Sequence, residues 1–481
     1  MSTRSDMWRW EDVARMAGAR PAAGLDPFAD KIFSGLSIDS RSIQSGELFL
    51  ALKGEQYDGH DFIPQSLEGG AAGILMDEQR WLSDASLRKL ARERGGIWLL
   101  SNDTLHSLQL WAGALRGRLN PRTIALTGSS GKTTTKDLLA GALSCFGPVC
   151  AAQRSFNNAI GVPYTLLQLE PRHRFLISEL GMNRSGEIEA LVGLVKPHIA
   201  LITSLGRAHV GFLGHPGAVK AAKLEIIKGL DPDGILILPD KPADLHVDAK
   251  GIWNGRMLLF GTSKNAEISL EGDPEFSEDG TRFRVSGLPE PVTVRLVGRG
   301  AVECFLAALA VCRAMELPLI QAARAMATVD SPAGRLQPVR IGGVTLFQDT
   351  YNASPESSVA NLEFLLAIKG AGHRYFAFGE MGELGAYSRE CHEEVGRLAA
   401  RCDVSYFLGP EAIWAHREVE RLGGRSRFYD SHEELAQDLV SIVKRGDLIL
   451  VKGSRRSGME KVCKLFKAGM VSPVERNAGR E

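Results

Sequence analysis

Short apolar runs that end in polar residues alternate along this chain with stretches whose apolar positions recur at helical spacing. The pattern predicts strands at Thr123 to Thr127, Phe175 to Glu179 and Ala200 to Ser204, and helices at Thr133 to Leu143 and Val219 to Leu230. Strands alternating with helices imply a parallel α/β sheet. An upstream segment has short strands of its own, Glu47 to Leu52 and Gly73 to Met76, and ends near the turn-forming pair Asn120-Pro121. From Gly255 to Leu296 the pattern changes to short strands of alternating polarity. A Pro/Gly-containing stretch, Asp330 to Gly334, precedes a second set of α/β signals. These breaks divide the chain into three expected domains, 1–119, 120–331 and 332–481. No internal repeat or low-complexity segment interrupts them, so each is expected to fold.

Length supports that division, because 481 residues exceed what one hydrophobic core usually serves. Lysine plus arginine equal aspartate plus glutamate at 57 each, so no whole-chain field draws in nucleic acid or an anionic membrane, and small molecules are the expected partners. Met1 to Gly18 carries Arg4, Asp6, Arg9, Glu11, Asp12 and Arg15 among its apolar residues, which breaks up any leader-like core. No span-length apolar run follows, and the chain is read as cytoplasmic. Seven cysteines with no CxxC pair make neither a disulfide framework nor a zinc site, so reduced core thiols are expected.

The sharpest local signal is Thr127-Gly128-Ser129-Ser130-Gly131-Lys132-Thr133, between the apolar run Ile124 to Leu126 and a helix continuing at Thr134. Strand, glycine loop and helix are the context of a phosphate loop. Gly128 and Gly131 let backbone N–H groups approach phosphate oxygens, the helix start adds its positive dipole end, Lys132 supplies a cation and Thr133 a hydroxyl for Mg²⁺. The first glycine of the longer GxxxxGK[ST] pattern would fall at Leu126, so the match is to the shorter GxxGKT form. The competing reading is an ordinary glycine turn.

Glu179 ends the run Phe175 to Ile177, and His209 follows the strand that begins at Ala200. Both fall at carboxyl ends of strands, where a parallel sheet presents its ligand-binding residues. A carboxylate and an imidazole there would hold a second Mg²⁺ beside the γ-phosphate, although imidazole is an unusual ligand for so hard an ion. Taken singly, each reads as a helix cap or a satisfied polar residue. Lys223, in Ala221-Ala-Lys-Leu-Glu225, reads by itself as a solvated helix lysine.

Taken together, these segments and several others resemble the Mur ligase family, over nearly the whole chain. Asp39-Ser40-Arg41, Gly46 to Gly54 with Lys53, and Tyr57 to Phe62 resemble its UDP-binding region. Ser155 to Pro163, with Asn157 and Asn158, resembles its substrate loop. Asp349-Thr-Tyr351-Asn352-Ala-Ser-Pro355, Gly379 to Gly385, and Val451-Lys-Gly-Ser454-Arg455 resemble motifs of its last domain. The resemblance implies a small α/β UDP-binding domain, a central phosphate-loop ATPase domain with a mostly parallel sheet, and a C-terminal Rossmann-like α/β domain. It implies ATP and Mg²⁺, with Thr133, Glu179 and His209 as metal ligands and Lys223 as a lysine carbamylated beside the metal. Thr127 to Thr134, Arg335, Asp349, Tyr351 and Asn352 would serve the nucleotide, and Asp39, Ser40, Arg41, Lys53, Asn157, Asn158, Ser454 and Arg455 the substrates. Within the family the last motifs resemble the member type that joins D-alanyl-D-alanine to UDP-N-acetylmuramoyl-tripeptide, in peptidoglycan precursor synthesis, as a monomer.

The chemistry these residues permit is phosphoryl transfer followed by acyl transfer. A carboxylate attacking the γ-phosphate brings two anions together, and Lys132 and Mg²⁺ would offset their repulsion. Arg335, in Ala333-Gly-Arg-Leu336, resembles the family arginine that reaches across to the nucleotide; the competing reading is an interdomain salt bridge. One departure stands out. Where the family has His-Asn-x-x-Asn, this chain has Gly300, Ala301 and, at the position of the adenine-binding Asn, Cys304. Two alternatives therefore stay open beside the leading reading: another ATP-dependent Mur-type ligase, and a nucleotide-binding regulator without turnover. Val451 to Arg455 argues against the step that adds the third amino acid, where an Asp-Asn-Pro-Arg motif is expected.

Overall fold

A computed structural model describes residues 8–23, 32–54, 56–153, 155–370 and 372–470; of the stretch read for a leader, residues 1–7 lie outside it. The chain forms two compact units. The first comprises Met1–Ile124, Gly147–Leu180 and Ala190–Pro197, and the second Ala125–Phe146, Gly181–Glu189 and His198–Glu481.

In the first unit a five-stranded sheet is built from β1 (Arg20–Pro21), β2 (Leu36–Ser37), β3 (Leu48–Leu50), β4 (Gly73–Asp77) and β5 (Ile97–Ser101), in the order β1-β5-β4-β3-β2. Only β1 is antiparallel to its neighbour. The strand expected over Glu47 to Leu52 shortens to three residues, with Glu47 turned aside so that its carboxylate accepts from Gln44 N at 2.8 Å. Helices start where the sequence supplies aspartate caps: Asp77, Asp84 and Asp103 accept from the first-turn N–H groups of the helices that follow. The helix Thr104–Leu119 stops at Asn120, whose left-handed backbone (φ 42°) makes the turn that the Asn-Pro pair announces. The division between the units falls within β6 (Arg122–Thr127), and β7 (Val149–Ala151) pairs in parallel with β8 (Phe175–Glu179) in the first unit. β8 is buried at all five positions, as a strand covered on both faces must be.

In the second unit β9 (Ile199–Ile202), β10 (Ile235–Pro239), β11 (Arg256–Gly261) and β12 (Ile268–Phe276) pair in parallel. β13 (Thr281–Val285) and β14 (Val292–Val294) then extend the array as antiparallel strands, in the stretch where the pattern turned polar-alternating. A second, six-stranded sheet uses β15 (Gln337–Ile341), β16 (Val344–Asp349), β17 (Arg374–Gly379), β18 (Val404–Leu408), β19 (Ser426–Tyr429) and β20 (Leu448–Lys452), in the order β15-β16-β20-β17-β18-β19. All but β15 run parallel.

Two expected elements differ in extent. The strand predicted to Ser204 ends at Ile202, because Thr203 and Ser204 spend their hydroxyls on the glycine loop. The helix predicted over Val219 to Leu230 is an α-helix, Pro216–Leu224, continued by the 3₁₀ turn Glu225–Gly229, where Glu225 leaves to accept from Ser185, Gly186 and Glu189. All seven cysteines are free thiols; six are core residues as expected, and Cys145 is exposed. Among the described residues no helix is long and apolar enough to cross a membrane.

Candidate active site

The glycine loop takes its shape from contacts no side chain would allow. A Cβ on Gly128 (φ 154°) would lie 2.0 Å from Thr203 Oγ1, and Gly131 (φ 78°) turns the chain left-handed into the helix Lys132–Ser144. The N-cap position of that helix is Gly131 itself, so the helix start and its positive dipole end adjoin the loop directly. Thr203 Oγ1 donates to Ser130 O at 2.6 Å, and Ser130 N donates to Ser204 Oγ at 2.8 Å. Ser129 Oγ donates to Gly206 O (3.2 Å) and accepts from Gly206 N (2.9 Å). The loop is therefore clamped to residues 203–206. Sequence reasoning missed Thr203 and Ser204; their signal was a pair of hydroxyls at the carboxyl end of a parallel strand.

Lys132 folds back to donate from Nζ to Gly128 O at 2.7 Å. Thr133 is buried, and its Oγ1 accepts from Arg335 Nη2 at 2.9 Å. The Arg335 guanidinium lies 4.2 Å from the centre of the Tyr351 ring, a cation–π contact that fixes its plane. Three candidates widely spaced in sequence, Thr133, Arg335 and Tyr351, are thus neighbours.

Behind Arg335 lies a buried brace. Asp349 Oδ1 accepts from Leu336 N at 3.0 Å, and Oδ2 accepts from Asn361 Nδ2 at 2.6 Å and from Lys452 Nζ. Lys452, 1 % exposed, also donates to Asn352 O at 3.1 Å. The Asp349 carboxylate, expected at the nucleotide, is engaged in holding the backbone next to Arg335. The Asn352 side chain accepts from Ala353 N. Ser454 is buried, its hydroxyl has no partner among the described residues, and it donates its N–H to Glu380 O, whereas Arg455 is exposed and reaches Glu460 at 3.9 Å.

His209 has left-handed backbone (φ 65°), and its Nδ1 lies 2.6 Å from Glu383 Oε2. This close contact with His209 holds the Glu383 carboxyl below its ordinary pKa against the opposing effect of burial, and the charge of Lys132 adds to it. Lys223 is 1 % exposed, which overturns its reading as a solvated helix lysine. Burial, reinforced by the like charge of Lys132, pushes its pKa well below the ordinary lysine value, so the neutral amine is favoured. Cys304 is buried with Sγ 3.6 Å from Gly131 O, and burial pushes its thiol up to about 11. It is a neutral group packed against the phosphate loop.

In the first unit Glu179 is buried at the end of β8, and its Oε1 accepts from Asn157 Nδ2 at 2.8 Å, which joins two of the candidates. Asn158 instead shapes its own loop, accepting from Ile160 N and Gly161 N. Asp39 and Arg41 pair with each other at 2.7 Å, and this hydrogen bond lowers the Asp39 pKa. Ser40 donates to Gln65, and Lys53 forms a backbone bridge with Asp58.

Residues 126–312 match the family description "Mur ligase middle domain", 334–455 "Mur ligase, glutamate ligase domain" and 32–93 "Mur ligase family, catalytic domain". The UDP-N-acetylmuramoyl-tripeptide--D-alanyl-D-alanine ligase of Bacillus subtilis (strain 168) is 31% identical over 447 residues, covering 91% of this chain and 94% of that protein. The enzyme of the same name from Synechocystis is 34% identical over 431 residues, covering 89% and 90%. Among solved structures, MurF from Acinetobacter baumannii superposes with a TM-score of 0.83 at 28% identity, over 96% of this chain and 99% of that one. MurF ligase from Thermotoga maritima, in complex with ADP, superposes with a TM-score of 0.77 at 28% identity, over 91% and 97%. The three-domain α/β fold expected from the sequence is the fold of these structures.

Proposed function

The chain belongs to the Mur ligase family, and from that premise we propose that it joins D-alanyl-D-alanine to UDP-N-acetylmuramoyl-tripeptide at the expense of ATP. It is an ATP-dependent, ADP-forming ligase of peptidoglycan synthesis. The observation that carries the mechanism is the Arg335–Thr133 hydrogen bond, which brings a cation of the last domain to the hydroxyl of the phosphate loop. The domain limits 1–119, 120–331 and 332–481 are retained as the working division.

In the first step an oxygen of the tripeptide's terminal carboxylate attacks the γ-phosphorus, the bond to the bridging oxygen of ADP breaks, and ADP leaves with its electron pair. In the second, the amine of D-alanyl-D-alanine attacks the acyl carbon, phosphate departs and the amine gives up a proton. Lys132, the N-terminus of its helix and Arg335 supply positive charge against the phosphoryl oxygens. Tyr351 and the Asp349–Lys452 brace hold Arg335 in place. Asp39, Ser40, Arg41, Lys53, Asn157, Asn158, Ser454 and Arg455 are retained as substrate-binding residues, and Cys304, Asp349, Tyr351 and Asn352 as nucleotide-binding ones.

Mg²⁺ fits the chemistry of its proposed ligands. The Thr133 hydroxyl and the Glu179 carboxylate, each retained as a proposed ligand, are hard oxygen donors of the kind Mg²⁺ prefers. When bound, Mg²⁺ supplies charge to the phosphate oxygens. His209 is the softer member of the set. Lys223 would join it as a carbamate, and a buried amine with a lowered pKa is suited to form one.

The reading is tested by phosphate release with UDP-N-acetylmuramoyl-tripeptide and a panel of amines. Release that depends on D-alanyl-D-alanine is expected. Release driven equally by single amino acids, or none with any amine, overturns it, the latter in favour of a nucleotide-binding regulator.

A further inference from the structure

The segment Leu205 to Gly214 leaves β9 and meets elements of the last sheet at every turn. Arg207 donates from Nε and from its backbone N to Glu356 Oε1, each at 3.0 Å, and from Nη2 to Glu394 Oε2 at 2.6 Å. One guanidinium thus joins carboxylates of two helices, Pro355–Ala367 and Ser388–Ala399. Next to it, a Cβ on Gly206 would lie 2.8 Å from the Glu356 carboxyl. Gly211 N donates to Glu383 O at 2.8 Å, and a side chain on Gly211 would come within 2.5 Å of Gly385 N. His209 adds a close contact from Nδ1 to Glu383 Oε2, at 2.6 Å. The other end of the segment is the clamp already described, where Ser129 exchanges hydrogen bonds with Gly206.

The Gly379 to Gly385 motif therefore has a docking partner, and the contact is continuous from the phosphate loop to two helices of the last sheet. We propose that Arg207 is a positioning residue for ligation, locking the segment after β9 to Glu356 and Glu394 so that Arg335 stays in register with Thr133. The proposal rests on the ligase reading above. An isolated ion pair as accessible as these (side chains 25–38 % exposed) contributes little. A guanidinium shared between two carboxylates, with a backbone N–H on one of them, is more directional, because the planar fork fixes both partners at once. Lysine carries the charge without the fork.

The experiment compares the full chain with Arg207→Ala, Arg207→Lys and the charge swap Arg207→Glu/Glu394→Arg. The readouts are kcat, KM for ATP, unfolding temperature and amide hydrogen exchange of residues 206–214 and 380–387. Expected for Arg207→Ala is a kcat loss on the order of ten- to a hundredfold, the range for sub-ångström to ångström misplacement. KM for ATP should change by less than about threefold, because phosphate-loop contacts remain. Arg207→Lys should fall between, the swap should recover part of the loss, and exchange should quicken in both segments while the sheet stays protected. Unchanged kcat and exchange in Arg207→Ala overturn the proposal, as does a kcat loss matched by a fall in unfolding temperature and unrelieved by the swap. If the full chain itself joins no amine, the ligase reading fails, and exchange in the variants still decides whether Arg207 locks the segment.

Discussion

Lys132 donates to the carbonyl of Gly128 across its own loop, so its ammonium is already held at the turn proposed to take the phosphates. Lys132→Ala should lower kcat for ligation about a hundredfold or more while leaving the unfolding temperature within a degree or two, by analogy with deleting one preorganised electrostatic group. Near-normal turnover would dissociate the loop from the γ-phosphate. Lys223 was legible as a helix residue but not as a buried one, because Ala221-Ala-Lys-Leu has no feature that distinguishes a lysine facing the core from one facing water. Its lowered pKa leaves the amine neutral above that pKa and protonated below it, so capture of CO₂ should fade as pH falls through it. Lys223→Ala should lose activity and regain part of it with short carboxylic acids; full activity without them would remove Lys223 from the mechanism. Cys304 was legible as a departure from the family motif, but its contact with Gly131 was not. With a neutral thiol where an amide would pair with adenine, GTP or ITP should support ligation at a sizeable fraction of the ATP rate. Losing one neutral hydrogen bond, about 0.5–1.5 kcal/mol, corresponds to a few-fold to roughly tenfold. The ratio of kcat/KM for ATP and GTP, in the natural chain and in Cys304→Asn, cancels any disturbance of the phosphate loop. Strict selectivity in both would assign base reading to another residue.

Secondary structure was legible where one rule governed it. β8 came out of its apolar run with the observed limits, and the phosphate-loop helix begins after a glycine that only a left-handed turn requires. Errors cluster where side chains have a second use. Thr203 favours strand by β-branching, but its hydroxyl bonds the glycine loop and the strand stops at Ile202. Asp349 and Lys452 likewise read as parts of two separate motifs, and nothing in either predicts that they meet inside the sheet between β16 and β20. Removing one partner of such a pair strands the other charge away from water. Lys452→Met should therefore destabilise the chain by about 3–5 kcal/mol in urea unfolding, at an unchanged slope. A loss under about 1 kcal/mol would mean that water solvates the bare carboxylate and that the brace carries little.

At the scale of the molecule, the contacts that matter most for turnover have the largest sequence separations. Arg207 meets residues 149 and 187 positions away, and Arg335 meets Thr133 across 202. Periodicity and local motifs carry no record of such pairs, which is why the sequence located Arg335 but left its partner open between nucleotide and salt bridge. The structure gives it a hydroxyl of the phosphate loop, beside which phosphate oxygens would collect in the proposed mechanism. In the proposed mechanism the need for that charge is greatest as the carboxylate approaches the γ-phosphorus, and less when ATP is merely bound. An interaction made chiefly in the transition state lowers kcat when it is removed and leaves ground-state binding nearly intact. Arg335→Ala should accordingly reduce kcat on the order of a hundredfold or more, with KM for ATP raised only a few-fold and thermal stabilisation by ADP largely kept. Arg335→Lys should recover little, because an ammonium has neither the fork that reaches Thr133 nor the flat face that stacks on Tyr351. Steady-state rates over a range of ATP, with ADP melting curves for the same three proteins, separate the outcomes. A kcat near the natural value with ATP affinity lost would make Arg335 a nucleotide anchor, and loss of both with a lowered unfolding temperature would make it a strut between domains.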